Sequence, residues 1–264
     1  MKTQHLLDNF NLIAEAPEGV VKLRELILQL AIRGQIVPQR LDEGQASIGV
    51  PITAPEEGWP FSIPSTWCWA MLGNVVDYNY GEKTDSLRIP GDAWVLDLED
   101  IEKDTSKLLR RVLARDRQST STKSRFAEGD VLYGKLRPYL NKALIADADG
   151  FCTTEIVPMR PANGVISRYV LCVLKSRYFL DYTGACAYGV KMPRLGTADA
   201  KKALFPLPPI AEQKRIVAEV SKLATLCDVL ETKLVQSREE ATKLTSAIVN
   251  HIYNAHTDSE GENK

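Results

Sequence analysis

Histidine is scarce in this chain and poorly placed for chemistry. The 264 residues include three, His5, His251 and His256, all near the chain ends, so neither a Ser-His-Asp arrangement nor a histidine-based metal site is expected. The five cysteines (Cys68, Cys152, Cys172, Cys186, Cys227) form no C-x-x-C pair and sit among apolar neighbours. That pattern points to free thiols in a reducing cytoplasm rather than to disulfides or zinc. No apolar run approaches the length of a membrane span, and Met1-Lys2-Thr3-Gln4-His5 lacks a basic-then-apolar signal pattern, so a cytoplasmic location without membrane partners is expected. No G-x-G-x-x-G follows a strand-like stretch, and no Asn-Pro-Pro-aromatic run of the amino-methyltransferase kind occurs. Gly129 to Lys135 fits the first seven positions of a P-loop, but the eighth is Leu136 rather than Ser or Thr. Pro138 then forbids the helix whose N-terminus would cradle phosphates. The carboxylates at Asp97, Glu99, Asp100, Glu102 and Asp104 read as a solvated turn rather than a tuned acid pair. Catalytic residues, metal ligands and a bound cofactor are all expected to be absent.

Apolar content of 44% and charged content of 25% are those of an ordinary globular protein with enough chain for a core. The net charge of −1 conceals an asymmetry. From Asp42 to Asp104 thirteen acidic residues face three basic ones, and from Thr105 to Ile145 ten basic residues face three acidic ones. The second segment suggests a polyanion-facing surface, with a plain solvated face as the alternative.

The strongest periodic signal lies at the end of the chain. Ile216, Val220, Leu223, Cys227, Leu230, Leu234, Ser237, Ala241, Leu244, Ile248 and His251 recur alternately four and three residues apart, nine of these eleven positions apolar. That rhythm keeps one narrow seam facing a partner helix, so a coiled coil is expected. At 1.5 Å per residue the seam is roughly 50 Å long. The Pro206-Leu207-Pro208-Pro209 run makes the helix entry sharp. A long helix lying on its own domain is the alternative use of the same pattern.

Upstream, Pro17 to Gln35 reads as a first helix, with Val20, Leu23, Leu26, Ile27, Leu30 and Ala31 on one stripe and Gly34 as its stop. Residues Leu41 to Pro64 are rich in Gly and Pro and read as a linker into a second domain. Three tryptophans between positions 59 and 69 are expected to anchor its core. Strands are expected at Ala93–Leu98, Gly129–Tyr133, Leu140–Ala146 and Glu155–Met159, then a helix over Val165–Tyr182 and a return loop over Gly184–Lys201. The expected organisation is α+β. It comprises an N-terminal helical region (1–40) packing on the coiled coil, a mixed α/β domain (41–206), the long C-terminal coiled-coil helix (207–256) and a disordered tail (257–264).

What remains for function is a recognition surface. On a strand-like stretch alternate residues share a face, so Lys135, Arg137 and Tyr139 are expected to point one way, with Lys142 beyond them. Lys191 and Arg194 form a second basic loop, and Arg125 adds a further cation. Lysine and arginine neutralise phosphates, and arginine also grips guanine edges.

Several stretches resemble one family. Leu207-Pro208-Pro209-Ile210-Ala211-Glu212-Gln213-Lys214-Arg215-Ile216-Val217, running into a heptad helix, resembles the conserved region of type I restriction–modification specificity (S) subunits. Trp94 to Ile101, Gly129 to Tyr139 and Gly189 to Leu195 look like target-recognition-domain motifs of that family, and Leu23 to Ala31 resembles its N-terminal helix. These five matches, in order, cover most of the chain. The usual S subunit carries two such domains and two helices paired antiparallel, whereas this sequence has one of each, so it looks like a half-length form. The resemblance implies a non-catalytic subunit that reads double-stranded DNA and recruits the modification (methyltransferase) and restriction subunits. S-adenosylmethionine, ATP and Mg²⁺ would then act only on those partners. An apolar seam left open on one long helix calls for a partner, so two copies are expected to pair as a homodimer through Ile216, Val220, Leu223, Cys227, Leu230, Leu234, Leu244 and Ile248, in the antiparallel arrangement the resemblance implies, and to read a bipartite palindrome. A self-contained DNA methyltransferase or nuclease, a pure coiled-coil scaffold and a silent specificity cassette stay open at this point.

Overall fold

The computed structural model describes residues 18–47, 54–55, 58–117 and 120–261, the last eleven as backbone alone. Two compact units emerge: one is Glu25–Val220, and the other joins the described residues up to Arg24 with those from Ser221 onward. The architecture is α+β with a long C-terminal helix.

The larger unit is organised on strand β6 (Val131–Gly134), every residue of which is buried. Successive side chains of a strand point to opposite faces, and here both faces are covered. Val131 and Tyr133 enter one core with Val157 and Met159, whereas Leu132 enters a second with Leu144 and Ile156. The central sheet has the order β2 (Val76–Tyr78), β9 (Ile156–Pro161), β6 and β7 (Ala143–Ile145), all antiparallel. On one face lie helices α3 (Ser167–Leu174) and α4 (Arg177–Cys186), whose Tyr169, Val170, Val173 and Phe179 join the first core. On the other lies an outer sheet, β3 (Lys83–Thr84), β5 (Lys123–Phe126), β8 (Gly150–Thr153) and β4 (Val95–Leu96), which contributes Trp94, Leu96, Phe126 and Cys152 to the second core. A two-stranded sheet of β1 (Cys68–Met71), which leads into the short helix α2 (Leu72–Val75), and β10 (Leu204–Leu207) brings the ends of the unit together.

The expected strands exist with shifted ends: three are shorter, the fourth runs on to Pro161, and β7 starts at Ala143 because Pro138–Leu140 forms a 3-10 turn. The single helix expected over Val165–Tyr182 is two helices, divided where Ser176 accepts a hydrogen bond from the Phe179 amide at 3.3 Å and so caps the second. The return loop contains a short helix, α5 (Thr197–Lys202). Of the three early tryptophans, Trp67 and Trp69 are buried, but Trp59 is 39% exposed and stacks on Trp69. All five cysteines are free, and burial pushes the thiols of Cys152 and Cys172 up to about 12.

Helix α1 (Gly19–Ile32) ends as its glycine requires. Gly34 has φ +67°, its N–H bonds to the Ala31 carbonyl, and that of Gln35 reaches the Leu30 carbonyl at 2.9 Å, a Schellman closure. Ala31 and Ile32 belong to the first core of the larger unit, so the boundary expected at residue 40 falls inside this helix instead. The long helix α6 runs Ile210–Gly261, 52 residues, so positions 257–261 of the expected tail are helical and 262–264 lie outside the described residues. Within the smaller unit Arg24 ties α1 to α6, donating to Asp228 at 2.6 Å, Glu231 at 3.3 Å and the Ala224 carbonyl at 3.3 Å. Residues 1–17 of the expected N-terminal region lie outside the described residues. Among the described residues no helix is long and apolar enough to cross a membrane.

Candidate nucleic-acid interface

The two basic stretches singled out by sequence meet at one end of the central sheet. Strand β6 closes at Gly134, where no side chain fits, since an added Cβ would lie 2.7 Å from the Leu98 side chain and 3.1 Å from the Lys142 carbonyl oxygen. The chain then leaves the sheet. Arg137 takes a left-handed φ of 50°, Pro138–Leu140 makes its 3-10 turn, and Asn141 at φ 49° turns the chain into β7. The expected alternation of Lys135, Arg137 and Tyr139 along one strand face is therefore wrong, because Pro138 and the left-handed Arg137 replace the strand by a tight turn.

A second turn closes against this one. Tyr188 and Arg194 exchange both backbone hydrogen bonds (3.0 and 2.9 Å), making a small hairpin whose tip is residues 189–193. Leu136 bridges Arg194, the Arg137 amide donates to the Pro193 carbonyl at 2.7 Å, and the Leu195 amide donates to the Lys135 carbonyl at 3.0 Å. Arg194 locks the junction with a forked grip on Glu155, its nitrogens at 3.1 and 3.2 Å from the carboxylate. The grip also raises the guanidinium pKa. Arg194 thus acts inside the fold as a clasp.

The remaining candidates divide in the same way. Lys142 is half-buried and donates its ammonium to the Leu98 carbonyl at 2.8 Å, so it too holds a loop in place. Arg125 lies on β5 of the outer sheet, exposed, with Asp149 at 3.9 Å. Arg137 and Lys191 are exposed and Lys135 half-buried, and among the described residues no ion pair involves any of the three. Tyr139 and Tyr188 are each 61% exposed.

The acidic and basic segments neutralise one another to a large extent, which the sequence does not disclose. Asp100 is fully buried and accepts from Arg110 at 2.7 Å and from Arg117, while Arg117 also reaches Asp97 at 2.8 Å. Arg111 pairs with Asp147 and lies over the Trp94 ring at 4.1 Å. The carboxylates of Asp97, Glu99 and Asp100, expected as a solvated turn, form an ion-pair network with Arg110 and Arg117.

The candidate partner seam is also divided. Ile216 is fully buried in the first core of the larger unit, with Val220 packed against that core. Cys227 is buried, and Leu223, Leu230 and Leu234 are half-buried. Leu244 and Ile248 are bare, 64% and 51% exposed. The P-P-I-A-E-Q-K-R stretch is the joint at the start of α6. Gln213 receives the Ile166 amide at 2.9 Å and donates to the carbonyls of Gly164 and Pro208 at 3.0 Å, while Arg215 grips Glu43 at 2.6 and 2.8 Å. Among the described residues no cluster of His, Cys, Asp and Glu is built to hold a metal ion.

No family model matches the chain. It is 24% identical over 249 residues to the type I restriction enzyme EcoDI specificity subunit of Escherichia coli, covering 90% of this chain and 54% of that protein. To the EcoAI specificity subunit of the same organism it is 28% identical over 280 residues, covering 92% of this chain and 45% of the relative. In fold it resembles the crystal structure of an HsdS subunit from Thermoanaerobacter tengcongensis, with TM-score 0.53, 18% identity, and coverage of 87% of this chain and 49% of that one. It also resembles a chain from a structure described for complex assembly and conformational transition of the type I R-M system, with TM-score 0.55, 16% identity, and coverage of 94% and 57%. The chain's relatives, in sequence and in fold, are type I restriction enzyme specificity subunits, and it spans about half the length of those it matches.

Proposed function

We propose that this chain is a DNA sequence-reading subunit of a type I restriction–modification complex, that it carries no catalysis of its own, and that each copy reads one half-site. The observation that carries this reading is the junction of the 135–142 and 188–194 loops, where Lys135, Arg137 and Lys191 are left without internal acidic partners. A duplex with one negative charge per ~1.7 Å of axis is the complement of such an edge. The modification and restriction subunits are its protein partners, and S-adenosylmethionine, ATP and Mg²⁺ act on them. The bare apolar positions of α6 call for another helix, and a second copy running antiparallel supplies one, giving a homodimer on a bipartite palindrome. Whether the chain serves in an active complex or as a specificity cassette is decided by the same experiment. The chain is co-expressed with a type I modification subunit, the complex is purified, and methylated adenines in the host DNA are mapped. Co-purification with methylation at one defined sequence is expected. Methylation or cleavage by the chain alone would make it an enzyme, and failure both to co-purify and to prefer any sequence would reduce it to a scaffold.

A further inference from the structure

The tip of the 188–194 hairpin is unusual for a protein surface. Val190 is fully exposed (101%), Met192 is 46% exposed, and Tyr188 stands 61% exposed at the base. Three apolar side chains within five residues are held in water by a loop that is not loose. The paired backbone bonds of Tyr188 and Arg194 close it. Gly189 has φ +96°, and the Arg137 amide and the Arg194–Glu155 fork brace it from the central sheet. A braced apolar tip keeps its shape when it meets a partner, which lowers the ordering cost of contact. Lys191, at the centre of the tip, and Arg137, bonded to its base, are exposed cations, so the tip sits within a positive rim.

Resting on the DNA-reading function above, we propose that Val190 and Met192 form a wedge that enters the duplex and partly unstacks one base-pair step, with Lys191 on a flanking phosphate and Arg137 at an adjacent base edge. Apolar wedges of this kind open a step at a cost of a few kcal/mol and gain a bent duplex that meets more of the protein. The cost is least at pyrimidine–purine steps. The loop therefore selects sequence through deformability, at a position where no hydrogen bond reads the base. A protein partner would also cover an apolar tip, but the unpaired cations around it match a polyanion.

The test uses the full chain and Val190→Ser, a substitution at a fully exposed site that leaves folding intact by thermal melt. Duplexes that bind the native chain are selected from a random-sequence pool of 40-base-pair length, and the winning duplex is remade with 2-aminopurine at each position in turn. A fluorescence rise confined to one step, abolished by Val190→Ser together with a loss of affinity on the order of tenfold, is the expected result. Sequence-selective binding with flat fluorescence at every position would overturn the wedge and leave the DNA-reading function standing. Failure of the native chain to enrich any duplex would overturn both. Unchanged DNA binding by Val190→Ser, with loss of the modification subunit on co-purification, would make the tip a protein-docking surface and overturn the wedge.

Discussion

Arg137 illustrates how backbone conformation decides which test is clean. Its φ of +50° is one that alanine adopts at a cost, whereas asparagine tolerates it. Arg137→Asn is therefore expected to leave stability unchanged, weaken DNA binding by about 1–3 kcal/mol and relax preference at one base pair, as a lost base contact does. Lys191→Ala is expected to lower affinity for all sequences alike and to flatten the salt slope by about one ion. Competition binding across a salt series separates the two, and an identical profile for both variants would remove Arg137 from base reading. A different residue governs stability. Glu212, in the first turn of α6, is fully buried, and neither carboxylate oxygen has a hydrogen bond of ordinary geometry. Desolvation raises its pKa above the usual 4.5, an effect only partly offset by the neighbouring Trp67 indole N–H and Arg215. A carboxyl with a raised folded-state pKa binds its proton more tightly folded than unfolded. Stability is then lost as pH rises from the unfolded value through the folded one. Glu212→Gln is expected to melt with the native chain at low pH and above it once pH exceeds that window. Parallel melting curves across the whole range would show that the carboxyl is not held out of water.

Helix α6 was legible from sequence because a 4-3 rhythm over eleven positions survives any local irregularity, and the proline run ahead of it fixes the start at Ile210. Strands β3 and β4, two residues each, offer no periodicity to read, and β1 finds its partner β10 far along the chain. The site was half legible. Charge pointed to both basic stretches, but only the 191–194 loop was legible as a loop, and the hydrogen bonds of Arg194 and Lys142 are long-range and invisible to local pattern. The same limit applies to the seam, whose first residues are claimed by the chain's own core. This shifts the informative substitution toward the end of the helix. Leu244→Asp with Ile248→Asp places charge in the bare part of the seam, costing several kcal/mol if another helix covers it. Sedimentation is expected to show the native chain self-associated and the double variant monomeric, with the melt of the Glu25–Val220 unit unaltered. A double variant still dimeric at micromolar concentration would remove these residues from the interface.

For the whole molecule, the proposed dimer links the length of a helix to the spacing of a DNA site. Two identical chains paired antiparallel through α6 present one readout in opposite directions, so their target is a palindrome. If the paired helices run along the duplex, a seam of ~50 Å at ~3.4 Å per base pair sets the half-sites on the order of 15 base pairs apart, with the pairs between them free to vary. Removing one heptad shortens a helix by about 10 Å at 1.5 Å per residue, close to three base pairs of duplex. Deleting residues 235–241, which lie beyond the contacts of Arg24, leaves both the α1 tie and the Gln213 joint in place. The expected methylome of cells carrying this variant with the modification subunit shows the same two half-sites with a spacer shorter by about three base pairs, or no methylation where the new helical phase turns one half-site away. An unchanged spacer would break the link between helix length and site length. A native site with two different halves would defeat the homodimer and require a second, different chain on the other half of the seam.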